Sequence, residues 1–536
     1  MIKKKNLLVI FFFFFYFILG VSIYKNYGLD VEEVFSRVNG LYWLGYILEK
    51  LNYINEVNKI NDLISLSYNK DVYLPPIDIY KIQYGPFFEI ISALLEIKLN
   101  ITETKIIYET RHLINFSIFF LSSIFFYKIL QNRFKSDLIS LFGLLIYILN
   151  PRIFGNSFHN PKDTIFLSVI TLSIYFLFKN LEKKKIKNII FFSFFSGLAI
   201  SIRIIGIFIP IIFIFLLLIN FNKKKIFLAI LYVFFLFFFL ILLWPFLWEN
   251  PFVNFINFLF NYKNQVWNVQ TLFNGNYLYI HYLPDHYLTF WLCISNPIYY
   301  LIIFLLGLIF LTLRFFKKLL NLSKRNYHFL TGLNEKKDFF FFFCFLSILL
   351  FIIFFKVPLY GSWRYFYFLN IFLGYISTYF IYLLLLNTKK KFFKFLVFIP
   401  FIFVVIKIYH FHPYESVYFN EIIKNKNLFQ RDHYILGATD ALRKIIKIDK
   451  NAKINVSNIS DEPLYRFSNM LSENEKKKLT FIGNDYLNSD YIFNSFNYAK
   501  NPFHEKKYKL PNNFESFFNL NIDGVQIYEV YKKKNK

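Results

Sequence analysis

Cysteine, methionine, glycine and acidic residues are all scarce in this 536-residue chain, and each scarcity removes a class of protein. Two cysteines, Cys293 and Cys344, exclude a disulfide framework, a Cys-rich zinc site and an iron–sulfur cluster. Only 34 Asp and Glu stand against 61 Lys and Arg, a net charge of +27. Gathered on one face or in one tail, that excess would point to nucleic acid. It is instead split into short clusters between apolar runs, which excludes nucleic acid as a partner and marks the cytoplasmic loops of a membrane protein. No internal repeat, Gly/Ser-rich linker or nucleotide-binding motif is present.

What the chain has in abundance is apolar surface: 56% hydrophobic residues, including 77 Phe, 40 Tyr and 6 Trp. With a mean hydropathy of +0.41 it is too apolar for a string of soluble domains. The fold class expected is mainly α, a polytopic membrane protein. The abundance of Phe, Lys, Asn and Ile also carries an AT-rich coding bias, so single residues of these types say little. Apolar runs near 7–24, 113–130, 137–149, 164–178, 189–220, 226–247, 297–316, 339–355, 366–386 and 392–409 are the expected crossings. The first, preceded by Lys3 to Lys5 and followed by no small-x-small cleavage site, is read as a retained anchor. The 189–220 run has strongly basic flanks on both sides, so an even number of crossings lies between them. At 1.5 Å per residue it spans about 48 Å, too long for one helix and short for two. A hairpin broken around Ser201-Ile202-Arg203 fits, with Arg203 at the outer face. The count is then about eleven transmembrane helices, with the N-terminus cytoplasmic and the C-terminus on the outer side.

That topology sorts the polar residues. Residues 25–110, 150–163, 248–296, 356–365 and the tail from 410 lie outside and carry most of the Asp, Glu, His, Trp and Pro. Two domains follow: a membrane domain over 1–409 and an outer-face tail over 410–536, holding a small soluble α/β domain from about 432. The long first outer loop, 25–110, reads as amphipathic helices near 31–51 and 86–98, separated by a polar stretch and lying on the membrane surface. In the tail, β-like runs at 453–459, 479–482, 491–493 and 525–531 alternate with helical patterns near 435–448 and 460–472.

Three groups of residues are candidates for chemistry. Asp30, Glu32 and Glu33 follow the first crossing. Clustered acids raise one another's pKa and supply a general base or hold a divalent metal; the plainer reading is a helix start with Asp30 as N-cap. Arg152, His159, Lys162 and Asp163 crowd a Pro-bounded segment at membrane depth, where unpaired charge costs about a few kcal/mol. Arg152 or Lys162 suits a phosphate clamp, and a Lys162–Asp163 salt bridge is the alternative. Arg203 interrupts an apolar hairpin, and Arg364 begins another helix among aromatics. Both are substrate-binding candidates, with an acid partner and interfacial anchoring as the respective alternatives. The histidines give no metal-ligand spacing, His410-x-His412 near Glu415 included.

Taken in order, Gly28-Leu29-Asp30-Val31-Glu32-Glu33, Asn150-Pro151-Arg152 to Asn160-Pro161-Lys162-Asp163, Trp244-Pro245 to Trp248-Glu249-Asn250-Pro251, Leu283-Pro284-Asp285-His286-Tyr287, Leu359-Tyr360-Gly361-Ser362-Trp363-Arg364-Tyr365 and His412-Pro413-Tyr414-Glu415 to Asn420, then Asp432-His433-Tyr434, resemble a known family. It is the C-type (GT-C) membrane glycosyltransferases that use polyprenyl-phosphate sugars, among the bacterial relatives of protein O-mannosyltransferases and the lipid A aminoarabinose transferase. The resemblance reaches to about residue 445. It implies inverting transfer of a hexose or pentose from a polyprenyl-phosphate carrier to a lipid, glycan or protein acceptor at the outer face, among membrane lipids. It further implies an acid as base, Glu32, with Glu33 and Asp30 orienting the acceptor or holding a metal, and Arg203, Lys162, Arg152 and Arg364 on the phosphate. The family's first-loop motif reads Asp-Glu, whereas a gapless alignment from Gly28 sets Glu32-Glu33 there and Asp30 two residues early. The competing classes are a solute or lipid transporter, against which stand the missing repeat and the one-sided charges, and a non-catalytic envelope assembly subunit, which would have no need of the acids.

Overall fold

The computed structural model describes residues 4–71, 74–81, 84–183, 185–218, 223–264, 269–322, 329–386, 395–459, 462–496 and 509–534. The basic clusters at Lys3 and 389–394, and part of the expected helical pattern at 460–472, lie outside the described residues.

The described helices are α1 (Lys4–Ile23), α2 (Val31–Lys50), α3 (Ile54–Lys70), α4 (Asp78–Lys81), α5 (Phe87–Lys98), α6 (Thr104–Phe134), α7 (Asp137–Ile148), α8 (Pro151–His159), α9 (Asp163–Glu182), α10 (Ile186–Ile202), α11 (Phe208–Leu218), α12 (Lys223–Leu243), α13 (Pro251–Asn264), α14 (Tyr287–Ser295), α15 (Ile298–Leu320), α16 (Leu333–Phe355), α17 (Leu369–Leu386), α18 (Ile399–Phe411), α19 (Gly437–Ile448) and the one-turn α20 (Glu473–Lys476). Seven of these are long and apolar enough to cross a bilayer, and α7 with α8, bent by 65°, makes an eighth if the pair is one span. Each expected apolar run holds a helix. The shortfall from about eleven full crossings lies in helices of 17 residues or fewer: α10, the 204–217 segment that includes α11, and α18. The break expected at Arg203 is present: α10 stops at Ile202, a 3-10 turn follows over Ile204–Ile207, and α11 begins at Phe208. Gly206 makes this reversal possible, since a Cβ there would lie 2.8 Å from the Ala199 carbonyl carbon.

Two parts of the loops differ from expectation. The polar stretch of the first loop is a further helix, α3, whose Ile60 and Ile64 pack on Leu41 and Leu44 of α2 and Ala93 of α5. In the loop after α13, Gln270–Phe273 (β1) and Asn276–Tyr279 (β2) pair as a hairpin through Asn274 and Gly275, both at positive φ, the turn that Asn-Gly favours.

The tail carries a five-stranded sheet in the order β4-β3-β5-β7-β6, built from Ile454–Asn458 (β3), Leu479–Phe481 (β4), Tyr491–Asn494 (β5), Phe514–Ile522 (β6) and Val525–Lys533 (β7). The strands β3, β4 and β5 run parallel, and the β6–β7 hairpin closes the other side antiparallel. Four of these strands match the expected runs. Strand β6 was not expected. α19 packs on β7, and one buried apolar core runs from the helical bundle into the tail. Arg466 pairs with Asp71 at 2.5 Å, tying the tail to the first loop.

At the opposite end of the bundle Asp338 is fully buried and accepts hydrogen bonds from Arg133 (2.7 Å, twice), Arg314 (2.8 Å) and Tyr375 (2.7 Å). One carboxylate thus gathers α6, α15, α16 and α17. Losing it would strand buried guanidinium charge, so this network sets register more than it adds net stability.

Candidate functional site

The site begins where α1 hands over to α2. Gly28 passes so close under the tail that a Cβ would sit 2.4 Å from the Leu436 carbonyl oxygen. Two hydrogen bonds hold the crossing: Leu29 N to Thr439 Oγ1 (3.4 Å) and Val31 N to the Tyr434 carbonyl (3.2 Å). Asp30 then caps α2, accepting from Glu32 N at 2.8 Å, while Glu33 reaches back to accept from Asp30 N at 3.0 Å. This reciprocal capping box satisfies donors that a helix start leaves open.

The three acids therefore part company. Asp30 Oδ2 lies 3.1 Å from His159 Nδ1, and Glu33 Oε2 lies 3.0 Å from His112 Nε2, with both carboxylates almost wholly buried. Successive helical residues point about 100° apart, so Glu32 leaves on another face. Its Oε1 meets Arg364 Nη1 at 2.5 Å, and its side chain is 31% exposed against 1% for Arg364. The same separation decides the protonation. Burial, then the charges of Glu32 and Glu33, push Asp30 well above the usual carboxylate range. Burial works against ionising Glu32 as well, but Arg364, Lys162 and Arg203 outweigh it and hold Glu32 below its ordinary value.

Around Glu32 stands a group of cations from distant segments. Arg364 enters through a turn in which Gly361 and Ser362 both have positive φ. A Cβ on Gly361 would fall 2.9 Å from the Arg364 side chain, so glycine is required there. The Arg364 guanidinium lies 4.7 Å from the Tyr360 ring and 4.8 Å from the Tyr365 ring, and donates to Tyr365 Oη at 3.1 Å. Arg203, at the end of α10, covers Tyr365 at 4.3 Å and pairs with Asp163, the first residue of α9. Tyr365 is thus shared by two guanidinium groups, a cation–π arrangement that offsets part of their desolvation. Lys162 lies 4.8 Å over the Tyr84 ring and, among the described residues, has no ion-pair partner; the alternative reading, a Lys162–Asp163 bridge, does not form, since Asp163 binds Arg203. Burial, then Arg203, depress its pKa. The Nε groups of both Arg203 and Arg364 are buried without a hydrogen-bond acceptor among the described residues. Glu32, Asp163 and, toward Lys162, the buried Glu89 face these three cations, whose spare N–H donors, Arg203 Nε and Arg364 Nε among them, make a place for an anion.

Other candidates serve this cluster from behind. His159 lies beneath Asp30, and Asp163 also accepts from Asn160, whose amide donates to Tyr434 Oη at 3.0 Å. Arg152 stands apart from the cluster. Its Nε donates to the Tyr418 carbonyl at 2.9 Å and its Nη1 to Ser362 Oγ at 3.3 Å, between the Trp291 and Phe419 rings. In that position it braces the turn that delivers Arg364. A metal held by Asp30, Glu32 and Glu33 does not fit, because their carboxylates face three different partners. Among the described residues no three His, Cys, Asp or Glu groups converge on one point.

Tyr365, Tyr434, Tyr84, Asn160 and His112 were assigned no role from the sequence. Tyr365 and Tyr434 lie inside the motifs quoted above, so motif membership was the available signal; His112 had none. Asp432, which accepts from the Leu436 and Gly437 amides at 3.2 Å each, shapes the turn presenting Tyr434, and burial pushes its carboxyl up to about 6.

Residues 110–248 match the family model described as dolichyl-phosphate-mannose-protein mannosyltransferase, which bears out the resemblance over that stretch. The stretch contains His112, Arg152, His159, Lys162, Asp163 and Arg203. No curated protein matches the chain. Among solved structures, ArnT from Cupriavidus metallidurans bound to undecaprenyl phosphate is similar at 10% identity and a TM-score of 0.41, over 84% of this chain and 88% of that one.

Proposed function

We propose that this chain is an inverting membrane glycosyltransferase that moves a sugar from a polyprenyl-phosphate carrier to an acceptor at the outer face of the plasma membrane. The observation that carries the reading is the pairing of one partly exposed, ionised carboxylate, Glu32, with a group of cations that have donors to spare. The family match over residues 110–248 supports it independently.

In this reading the donor phosphate sits against Lys162, Arg203 and Arg364. The acceptor hydroxyl approaches the anomeric carbon from the side opposite the phosphate, Glu32 takes its proton, and the bond from that carbon to the phosphate oxygen breaks. The electron pair leaves with polyprenyl phosphate, whose growing charge the three cations stabilise in a site poor in water. Glu32 and the phosphate compete for Arg364. A bound donor therefore draws Arg364 away and restores basicity to Glu32 when an acceptor can be used, while the capping pair Asp30 and Glu33 holds the helix end that carries it.

The test is release of free polyprenyl phosphate from labelled polyprenyl-phosphate hexoses and pentoses, with envelope extract as acceptor. Release by wild type and not by Glu32→Gln is expected. A Glu32→Gln protein that turns over like wild type removes Glu32 from the reaction, and binding of no such donor by wild type removes the reading itself.

A further inference from the structure

A polar cavity of about 440 Å³ is lined by Gly28 and does not include Glu32. One wall comes from the ends of the first and last apolar helices: Lys25 and Asn26 just after α1, and His412, Pro413 and Tyr414 just after α18. The other wall comes from the tail: Thr439, Asp440, Arg443 and Lys444 of α19, with Leu520 of β6. The lining charge is three cations, Lys25, Arg443 and Lys444, against one carboxylate, Asp440.

The cations are not all spent within the protein. Lys444 is bound to Asp440 at 2.9 Å and to Tyr528 Oη at 2.8 Å. Lys25 is 59% exposed and makes only a loose, solvent-screened ion pair with Glu109, at 3.7 Å. Arg443 gives Nη2 to the Met470 carbonyl at 2.9 Å and feels the Glu475 carboxylate through space, and it makes no other hydrogen bond among the described residues. The cations come from two different parts of the fold, and Thr439, Tyr414 and Asn26 line the same space. Because Lys25 follows α1 by only two residues, the cavity lies at the level where that helix leaves the bilayer.

We propose that this cavity binds a phosphate ester carrying hydroxyl groups, held between Lys25 and Arg443. A bare phosphate would leave most of 440 Å³ empty, and a phosphate ester carrying a hydroxyl-bearing group occupies more of it. The same chemistry comes from two sources, the headgroup of an anionic membrane lipid or a soluble phosphate ester. Binding draws the tail onto the end of α1, whichever reaction the Glu32 site performs.

The experiment uses the full-length protein in nanodiscs of phosphatidylglycerol or phosphatidylcholine, with native mass spectrometry of retained lipid and, separately, titration with glycerol phosphate. The variants are Lys25→Gln/Arg443→Gln, which removes the charge, and Leu520→Trp, which fills the space and leaves the charge. Wild type retains phosphatidylglycerol over phosphatidylcholine, or binds glycerol phosphate, and both variants lower that binding by about tenfold or more, the effect of two cations near a membrane surface. Retention of lipid alone identifies a headgroup site, and binding of glycerol phosphate alone a soluble ester. Wild type binding neither probe, or a folded variant of either kind binding as well as wild type, overturns the proposal.

Discussion

Glu32→Gln separates chemistry from stability at one atom. Breaking a fully buried ion pair by removing one member costs about 3–5 kcal/mol, because the remaining charge is stranded. Here Arg364 is the buried member and Glu32 is 31% exposed, so solvent screens part of the pair. The amide oxygen of Gln still accepts from Arg364, and the Tyr360 and Tyr365 rings at 4.7 and 4.8 Å stay against the guanidinium. The net cost is then about 1–2 kcal/mol, a fall in Tm of about 1–2 °C for a chain of 536 residues. An amide cannot take a proton, so loss of a general base lowers turnover by about 10²- to 10⁴-fold. Turnover is measured as polyprenyl phosphate released per enzyme from labelled donor, and stability by thermal unfolding of the same preparation, with Glu32→Asp as the partly rescuing control. Turnover within about threefold of wild type refutes the assignment. A Tm loss above about 10 °C refutes the energetic argument, since the pair would then hold the fold together.

Asp30→Asn is expected to keep the fold, because Asn caps a helix as well as Asp does, whereas Asp30→Ala costs about 1 kcal/mol; the difference is read as Tm. Gly28→Ala drives a methyl to 2.4 Å from the Leu436 carbonyl and pushes the tail off its seat, seen as faster proteolysis of the 412–536 region than in wild type. Because Glu32 is held below its ordinary pKa, its base form persists to lower pH, and the acid limb of the kcat/KM profile is expected below about pH 4.3, the free glutamate value; a limb near 6 contradicts this. Asp432 has the opposite sign: its folded pKa, about 6, is raised, so its contribution to stability is greatest at low pH and is lost as pH rises through 6. Asp432→Asn, which cannot ionise, turns an NH2 toward the Leu436 or Gly437 amide and loses about 1–3 kcal/mol at any pH; on top of that loss, its stability relative to wild type is expected to rise by up to about 3 kcal/mol from pH 4 to pH 8.

Run length and hydropathy were enough to place the membrane helices, because a segment that crosses a bilayer must satisfy its own backbone and present apolar surface all round. The break at Arg203 was legible for the same reason: no single helix spans 32 apolar residues with an arginine in the middle. The four expected strands of the tail were legible from short β-rich runs. Strand β6 was not, since its Phe517 and Phe518 fall on adjacent positions and blur a period of two in a chain where Phe is everywhere. The Asn274-Gly275 turn was a local signal in plain view that the short flanking strands did not amplify. Helix α3 carries Ile54, Val57, Ile60 and Ile64 at helical spacing, a signal that its Asn, Lys and acidic residues masked, and that face is buried only once α2 and α5 lie beside it.

The site divides along the same line. That acids, arginines and a lysine crowd one end of the bundle follows from sequence and topology. Which of them meet does not, for Glu32 and Arg364 are 332 residues apart and Glu33 and His112 are 79 apart. Helical geometry alone dictates that Glu32 and Glu33 cannot face the same way. Only the packing of α6 and α8 against the start of α2 decided that histidines would take Glu33 and Asp30, leaving Glu32 to the cations, because a side chain's partner is set by contacts between segments and not by its neighbours in the chain.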